Sequence, residues 1–398
     1  MSVFAAATGI GSWPGESARE AAEIVIGELH TLPHLVELPN RGVGADLIGR
    51  TGALLVDIGF DTVARAYRIA PGRSSVLRRA VSMLNEDLDA LEEAWEKAGL
   101  HGSGRTVKVQ AAGPITLAAQ MEMANGHRAI TDSGALRDLA ESLSEGLSLH
   151  RAEVARRLGT EVVVQLDEPL LPAAMLGRLT GVTSFSPVNP VEEQVAAVLL
   201  DECIARVGGE VALHSCAADL PWKLLQRSQL QAIAIDVSTL QAADLDGVGE
   251  FVESGRTVLL GVVPGTAQQQ QWKPQQVAAA AAKITDRLGF PARCCANGSV
   301  SPLPAGCPVP PRNGPASRSA WSRRPPTVSK PILKESDKQT SRWRKVRAKG
   351  WGASESVQAC GDGRCRCNGR IDAGHRTWRC RYRRPGTPRI GLRRFRSP

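Results

Sequence analysis

The first 290 residues hold only two cysteines, Cys203 and Cys216. That scarcity excludes a disulfide scaffold and suits a reducing, cytoplasmic compartment. Long apolar runs are missing as well: no stretch reaches the ~18 uninterrupted apolar residues that a membrane span requires. Met1 to Gly11 has no charged leader region and too short an apolar run for a signal peptide. Acidic residues are scarce at the other end of the chain. From Pro291 onward 25 Lys and Arg stand against 5 Asp and Glu, a net of +20, whereas residues 1–290 carry 24 against 35, a net of −11. The formal +9 of the 398-residue chain is therefore the sum of two unlike pieces, and the basic character belongs to the tail.

What residues 1–290 do contain is alternation. Short apolar or β-branched runs, Ala7–Trp13, Leu35–Leu38, Val107–Ala111, Val162–Leu166, Val211–His214, Ala232–Val237 and Val258–Val263, are separated by segments of helical period such as Ala18–Leu29, Ala135–Leu158, Val191–Arg206 and Gln275–Leu288. Such alternation predicts parallel β/α construction, and strands that are apolar throughout predict a sheet covered on both faces. Polar residues gather at the C-terminal tips of these runs: Ser12, Glu37, Asp167 with Glu168, His214 with Cys216, and Asp236. A (β/α)₈ TIM barrel builds its active site at that face, whereas a doubly wound fold gathers ligand groups at one switch point. Gly9, Gly11 and Gly15 give G-x-G-x-x-x-G, interrupted by Pro14, which is not a dinucleotide-binding spacing. Seven strands leave the barrel one short, and the missing βα unit falls where the composition changes.

His214 and Cys216 stand two apart at the end of an apolar run, so imidazole and thiol point the same way. That is half of a tetrahedral zinc site; a buried cysteine beside a satisfied histidine is the bland reading. Asp236, ending the next strand, is either a third metal ligand or takes, as Ser238 also could, a helix-capping role. In Gln165-Leu166-Asp167-Glu168-Pro169, adjacent carboxylates point to opposite sides of a strand. Asp167, in phase with Gln165 and Val163, is expected to face the pocket, leaving Glu168 to a salt bridge or a place at the rim.

In the order Ile10-Gly11-Ser12-Trp13-Pro14, Glu37-Leu38-Pro39-Asn40-Arg41, Ala112-Gly113-Pro114-Ile115-Thr116, Gln165 to Pro169, His214-Ser215-Cys216 and Ile235-Asp236, the chain resembles the C-terminal catalytic barrel of cobalamin-independent methionine synthase. The likeness spans nearly all of 1–290 and is to the single-barrel form, within a superfamily that also holds uroporphyrinogen decarboxylase. The resemblance implies a 5-methyltetrahydropteroyltriglutamate-homocysteine S-methyltransferase of methionine biosynthesis. By it, Ile10, Gly11, Ser12, Glu37 and Asp167 would hold the amino-acid end of homocysteine, with Asp167 pairing the ammonium as the catalytic group. His214, Cys216 and Asp236 would bind zinc, which favours the substrate thiolate at neutral pH. Rival readings are a decarboxylase or corrinoid-linked methyltransferase of the same superfamily, or an inactive or nucleic-acid-associated protein acting through its basic tail.

The sequence departs from that family in three places. Asp236 stands where the family has glutamate, one methylene longer. No histidine follows the seventh strand, which reads Gly261-Val262-Val263-Pro264-Gly265-Thr266. The fourth ligand, a cysteine on strand eight, would lie beyond residue 290, where the pattern stops. Residues 291–398 combine arginine, proline and four of the eight tryptophans without sustained apolar period, a composition expected to stay disordered. Three readings of this tail are open. It is a nucleic-acid-binding arm with Trp343, Trp351 and Trp378 between basic residues, a metal knuckle of Cys360, Cys365, Cys367 and Cys380, or the product of an out-of-frame reading of a GC-rich gene. The last is preferred, because the break falls inside the expected eighth βα unit.

Overall fold

A computed structural model describes residues 2–64, 66–181, 187–263 and 273–289, together with the backbone of 295–296, 299–300, 365–372, 375–382 and 391–395. The chain divides into one unit of Met1–Pro310 with Arg347–Gln358 and a second of Pro311–Val346 with Ala359–Pro398.

The first unit is α/β. Helix α1 (Ala18–Glu28) starts where the Ser17 side chain accepts the Glu20 N–H, and α2 (Leu47–Gly52) starts on Asp46, which accepts the N–H groups of Ile48 and Gly49. These are N-caps of the ordinary kind, satisfying donors that the first turn leaves over. A short hairpin, β1 (Phe60–Thr62) and β2 (Tyr67–Ile69), precedes the long helix α3 (Ser75–Lys97), and β2 continues into a parallel pairing with β4 (Met121–Glu122). Between α3 and β4 come β3 (Val107–Ala112) and α4 (Pro114–Gln120). Then follow α5 (Ser133–Leu158), β5 (Val162–Asp167), α6 (Leu171–Met175), α7 (Glu193–Val207), β6 (Val211–Ser215), α8 (Trp222–Arg227), β7 (Ala232–Asp236), α9 (Asp244–Glu253), β8 (Thr257–Gly261) and α10 (Pro274–Arg287). Gly159, the C-cap of α5, takes the left-handed conformation, φ 60°, which ends that helix before β5.

Strands β3, β5, β6, β7 and β8 are neighbours in that order and all parallel. Two extended segments continue the succession on the β3 side through single parallel bridges, His34 with Lys108 and Ser12 with Glu37. Strands were expected over Ala7–Trp13 and Leu35–Leu38. The chain there is strand-like but forms no full ladder, because Gly11 sits at φ +126° and Pro39 opens a 3₁₀ turn. The edge of β8 away from β7 is taken by β10 (Ser299–Val300), which runs antiparallel to it and pairs in turn with β9 (Cys295–Ala296). Among the described residues no parallel strand follows β8.

Register explains how uniformly apolar strands carry polar chemistry. One face of the sheet presents Val107, Val109, Val164, Leu166, Val211, Leu213, Ile233, Ile235, Val258 and Leu260, all buried in the main core with residues from the helices. Alternate positions form the opposite face. There the partners Lys108 and Val163, Gln110 and Gln165, and Ala112 and Asp167 lie in successive rows, and Asp167 is level with His214 and His214 with Ala234. The N-terminal end of that face is closed by a separate small core: Phe4, Ala6 and Leu32 against Val163, Ala212, Ala232 and Leu259. Full burial of Phe4 contributes about 1.5–3 kcal/mol.

No helix among the described residues is long and apolar enough to cross a membrane. The expectation of a tail without regular structure falls largely on residues outside the described ones. The three segments that are described in the second unit, β11 (Cys365–Asp372), β12 (His375–Tyr382) and β13 (Gly391–Phe395), form an antiparallel sheet in which Cys367 and Cys380 are register partners. Cys360, Trp343 and Trp351, named in the knuckle and nucleic-acid readings, lie outside the described residues.

Candidate functional site

The polar rows end at the C-terminal edge of β5 and β6. Asp167 Oδ1 accepts the Gln165 amide N–H at 2.8 Å and lies 2.7 Å from His214 Nδ1. Gln165 Nε2 also donates to the Ile10 carbonyl at 2.8 Å, and its Oε1 accepts from Lys108 Nζ, which donates again to the Gly9 carbonyl at 2.7 Å. Residues 9 and 10 are thus tied to β3 and β5 by side chains rather than by a backbone ladder. Burial brings the Lys108 ammonium down to about 8, against the opposing pull of Asp167 and Glu37.

Beside this chain stands Glu37, held by the parallel bridge to Ser12, whose hydroxyl donates to Glu37 Oε2 at 3.3 Å. Burial pushes the Glu37 carboxyl up to about 7; the Arg50 guanidinium, whose Nε is 3.8 Å from Oε1, works the other way, and Asp167 adds to the rise. Arg50 is itself held by a hydrogen bond to Asp87 on α3, and Arg41 Nη2 donates to both oxygens of Asp87 at 2.7 and 2.8 Å. Among the described residues three buried side-chain atoms here have no hydrogen-bond partner of good geometry, Glu37 Oε1, Gln110 Oε1 and Arg50 Nη2, although the Gln110 side chain lies near enough to Glu37 to pull its carboxyl down somewhat. An orphaned buried acceptor costs about 1–3 kcal/mol, so two of them near a strand end mark a place that a donor-bearing ligand would satisfy.

His34, fully buried below Gly9, is driven down to about 3 by burial first and by Lys108 second. It packs where a side chain at position 9 would stand, since a Cβ on Gly9 would come within 2.4 Å of its Nε2. Neutral at physiological pH, it is a packing and hydrogen-bonding group rather than a base.

Glu168 is not at a rim and makes no salt bridge among the described residues, contrary to the sequence expectation. It is fully buried, and its carboxylate accepts the N–H groups of Ile115 and Thr116, both at 2.9 Å, and the Thr116 hydroxyl at 2.7 Å. The reason is the strand's alternation: with Asp167 turned to the polar face, Glu168 turns under the N-terminus of α4, where unpaired N–H groups and the helix dipole favour an anion. Gly113 is required there, because a Cβ would come within 2.3 Å of the carboxylate. Burial nevertheless holds the Glu168 carboxyl up at about 7, with those hydrogen bonds pulling the other way.

Cys216 lies one residue beyond β6, exposed, and one step past the Ser215–Ile235 pair, which brings it level with Asp236 on β7. Although the residue as a whole is exposed, the protein atoms crowding its sulfur keep enough water away to push the thiol up, and the nearby Asp236 and Asp167 carboxylates add to the rise. Asp236 Oδ1 accepts the Ser238 N–H at 2.8 Å, so this carboxylate serves the turn after β7. His nitrogen, Cys sulfur and a carboxylate on neighbouring strand ends are a zinc-type donor set. As placed they do not enclose an ion: among the described residues no three His, Cys, Asp or Glu side chains stand close enough to hold one. Pro264 to Thr266, Cys294 and Cys307 lie outside the described residues, and of Cys295 only the backbone is described.

The model of the cobalamin-independent synthase catalytic domain matches residues 4–295. The chain belongs to that family. Family members are typically zinc-dependent enzymes. Among solved structures, a B12-independent methionine synthase from Shewanella sp. W3-18-1 in complex with selenomethionine is 14% identical, with a TM-score of 0.35, over 56% of this chain and 59% of that one. A putative vitamin-B12 independent methionine synthase from Listeria monocytogenes is 10% identical, with a TM-score of 0.39, over 68% of this chain and 76% of that one. The chain thus spans little more than half the length of the Shewanella protein. No curated protein matches it.

The synthase-family motifs singled out in the sequence gather at one edge of the sheet. Gln165, Asp167 and His214 are joined by hydrogen bonds, with Ile10 tied in through its carbonyl, while Ser12 and Glu37 form a separate hydrogen-bonded pair beside them. The Asp236 carboxylate is close enough to raise the Cys216 thiol, but among the described residues neither shares a bond with that group. Sequence reasoning missed Lys108, Gln110, Arg50 and Asp87. The first two carry a readable signal, since polar side chains at alternate positions of Val107–Ala112 mark the same face as Gln165 and Asp167. Arg50 and Asp87 meet across 37 residues, which no local pattern announces.

Proposed function

We propose that this chain transfers a methyl group from a methylated folate-type donor to the thiol of homocysteine, giving methionine. The supporting observation is the pair of orphaned buried acceptors, Glu37 Oε1 and Gln110 Oε1, beside the Asp167–His214 pair. An amino acid's ammonium brings the donors that those acceptors lack, and its carboxylate suits the unpartnered Arg50 Nη2. Asp167, Glu37, Ser12 and the backbone at Ile10 and Gly11 are the residues proposed to hold that end of the substrate.

With the amino-acid end fixed, the side-chain sulfur is directed along the strand ends toward His214 and Cys216. Sulfur attacks the donor's methyl carbon, the carbon–nitrogen bond breaks, and its electron pair passes to the donor nitrogen, which takes a proton. The gain from holding both reactants lies in orientation, which is worth several kcal/mol of barrier. His214, Cys216 and Asp236 are the proposed zinc ligands, and the ion would supply an ionised thiol at neutral pH. Asp236 would have to give up its turn hydrogen bond to take part.

The fold proposed for residues 1–290 is a (β/α)₈ barrel without its eighth βα unit, with 291–398 outside the catalytic body. Support comes from the antiparallel β10 on the edge of β8 and from a family match that ends at residue 295. The nucleotide sequence tests the out-of-frame reading: an alternative frame after residue 291 that encodes no strand followed by a cysteine would end it.

The function is tested by incubating the purified chain with homocysteine and methyltetrahydrofolate, beside a His214→Ala, Cys216→Ala double variant. Methionine and bound zinc are expected from the first and neither from the second. Equal zinc content and equal methionine formation in both would refute the assignment.

A further inference from the structure

Four charged side chains meet beside the substrate end of the site. Glu37 lies in the second strand-like segment, Arg41 ends the 3₁₀ turn after it, Arg50 is on α2 and Asp87 on α3. Asp87 has no exposed side-chain surface, and Glu37, Arg50 and Arg41 are only 5, 5 and 10% exposed. Burial pushes the Asp87 carboxyl up, and the Arg50 and Arg41 guanidinium groups pull it back. Both its oxygens are engaged: Oδ1 accepts from Arg41 Nη2, and Oδ2 accepts from Arg41 Nη2 and from Arg50 Nη1. Arg50 is therefore gripped at Nη1. Its Nε stands 3.8 Å from Glu37 Oε1, which is an ion pair but too long for a hydrogen bond. Nε and Nη2 make up the side of a guanidinium that commonly clasps a carboxylate with two parallel bonds. No such clasp forms on Glu37: Arg50 Nη2 and Glu37 Oε1 are both left without a partner of good geometry among the described residues. Opposite charges buried this close and held short of contact require a competing attraction, and the Arg50–Asp87 hydrogen bond supplies it.

We propose that Asp87 is a positioning residue: by holding Arg50 at Nη1 it stops the guanidinium from closing on Glu37, and so keeps Glu37 Oε1 and Arg50 Nη2 open for a ligand's ammonium and carboxylate. The proposal rests on the function above for the identity of that ligand, whereas the arrest of Arg50 is a property of the free protein. Asp87 acts through Arg50 alone, because its own oxygens are covered by two guanidinium groups. Arg41 has a different part. It is the second cation beside a carboxylate that has no contact with water, yet Arg50 stays on Asp87 without it and is held more firmly as the sole cation there. The two partners of one ion pair thus have different consequences for the site. A cluster that merely braced α2 against α3 would show no such difference.

The test compares the full chain with Asp87→Asn and Arg41→Gln, by crystal structures without substrate and by calorimetric titration with homocysteine. Both are done at about pH 8, above the value of about 7 to which burial pushes Glu37, so that a gap to Arg50 cannot come from a neutral carboxyl. In the unmodified chain Arg50 is expected on Asp87 and out of hydrogen-bonding reach of Glu37 Oε1. A closed Arg50–Glu37 hydrogen bond there overturns the proposal without any variant having to fold. In Asp87→Asn the neutral amide pulls less, so Arg50 is expected to close to about 3 Å from Glu37. Homocysteine affinity should fall about tenfold or more with it. In Arg41→Gln the gap should remain and the affinity stay within about twofold, although both variants lose a buried ion pair and unfold at lower urea. Equal loss of affinity in the two variants, or an unmoved Arg50 in Asp87→Asn, overturns the proposal. An unmodified chain that binds no homocysteine ends the function above, while the Arg50–Glu37 separation in free Asp87→Asn still decides whether Asp87 holds Arg50 back.

Discussion

The two faces of the parallel sheet are built from alternate residues of the same strands, yet they do opposite work. On the helix-covered face Val164 and Leu166 are buried among aliphatic side chains; on the other, Gln165 and Asp167 join a hydrogen-bonded row that reaches His214. The backbone is common to both, so the difference lies wholly in what period-two alternation sends each way. An aliphatic face tolerates exchange of one hydrocarbon for another of similar volume, whereas a buried polar row fails if any member loses its partner. Stability and chemistry can therefore be separated by mutating neighbours in one strand.

The largest effect is expected at Asp167. Asp167→Ala removes the acceptor shared by Gln165 and His214, and should lower kcat/KM for methyl transfer about a hundredfold or more while the chain stays folded. If activity survives that change, the polar face is not the site. Next comes Phe4→Ala, which empties the small core beneath the polar rows and should cost about 3–5 kcal/mol in urea unfolding. Leu166→Ala, one residue from Asp167 but on the other face, should cost about 2–5 kcal/mol and leave KM for homocysteine unchanged. A change in KM as large as that from Asp167→Ala would erase the distinction between the faces.

The smallest effect is a pH dependence. Glu168 titrates at about 7 in the folded chain against an ordinary 4.5, so the folded state holds that proton more tightly than the unfolded one. Its contribution is complete below about pH 4.5 and is lost as pH rises toward 7, at up to about 1.4 kcal/mol per pH unit. Glu168→Gln should flatten that part of the stability profile, as measured by urea midpoints at successive pH values. An unaltered slope would mean that the carboxylate under α4 is charged throughout.

Much of this arrangement is legible in the sequence because strands buried on both faces announce themselves by length and composition. The runs at 162–166, 211–214 and 232–237 lie within a residue or two of β5, β6 and β7, and α1, α5, α7 and α10 begin and end within two residues of the helical periods. Counting by twos from Val163 puts Asp167 on the face of Gln165, and the two side chains are hydrogen-bonded there. The same counting sends Glu168 away from the pocket, but what it meets there, the N-terminus of α4 some fifty residues earlier in the chain, is a tertiary fact. The hairpin of β1 and β2 is made of three-residue strands, too short for a periodic signal. The first two strand-like segments were read as full strands because their apolar content shows and the backbone turn at Gly11 does not. Sequence spacing alone also could not tell whether Asp236 serves a cation or the turn through Ser238.

Calorimetric titration of homocysteine into the unmodified chain, Asp167→Ala and Leu166→Ala tests the assignment of substrate binding to the polar face most directly. Saturable binding in the unmodified chain and Leu166→Ala, with at least tenfold weaker binding in Asp167→Ala, is the predicted result. No binding to the unmodified chain, or equal affinity in all three, would contradict it.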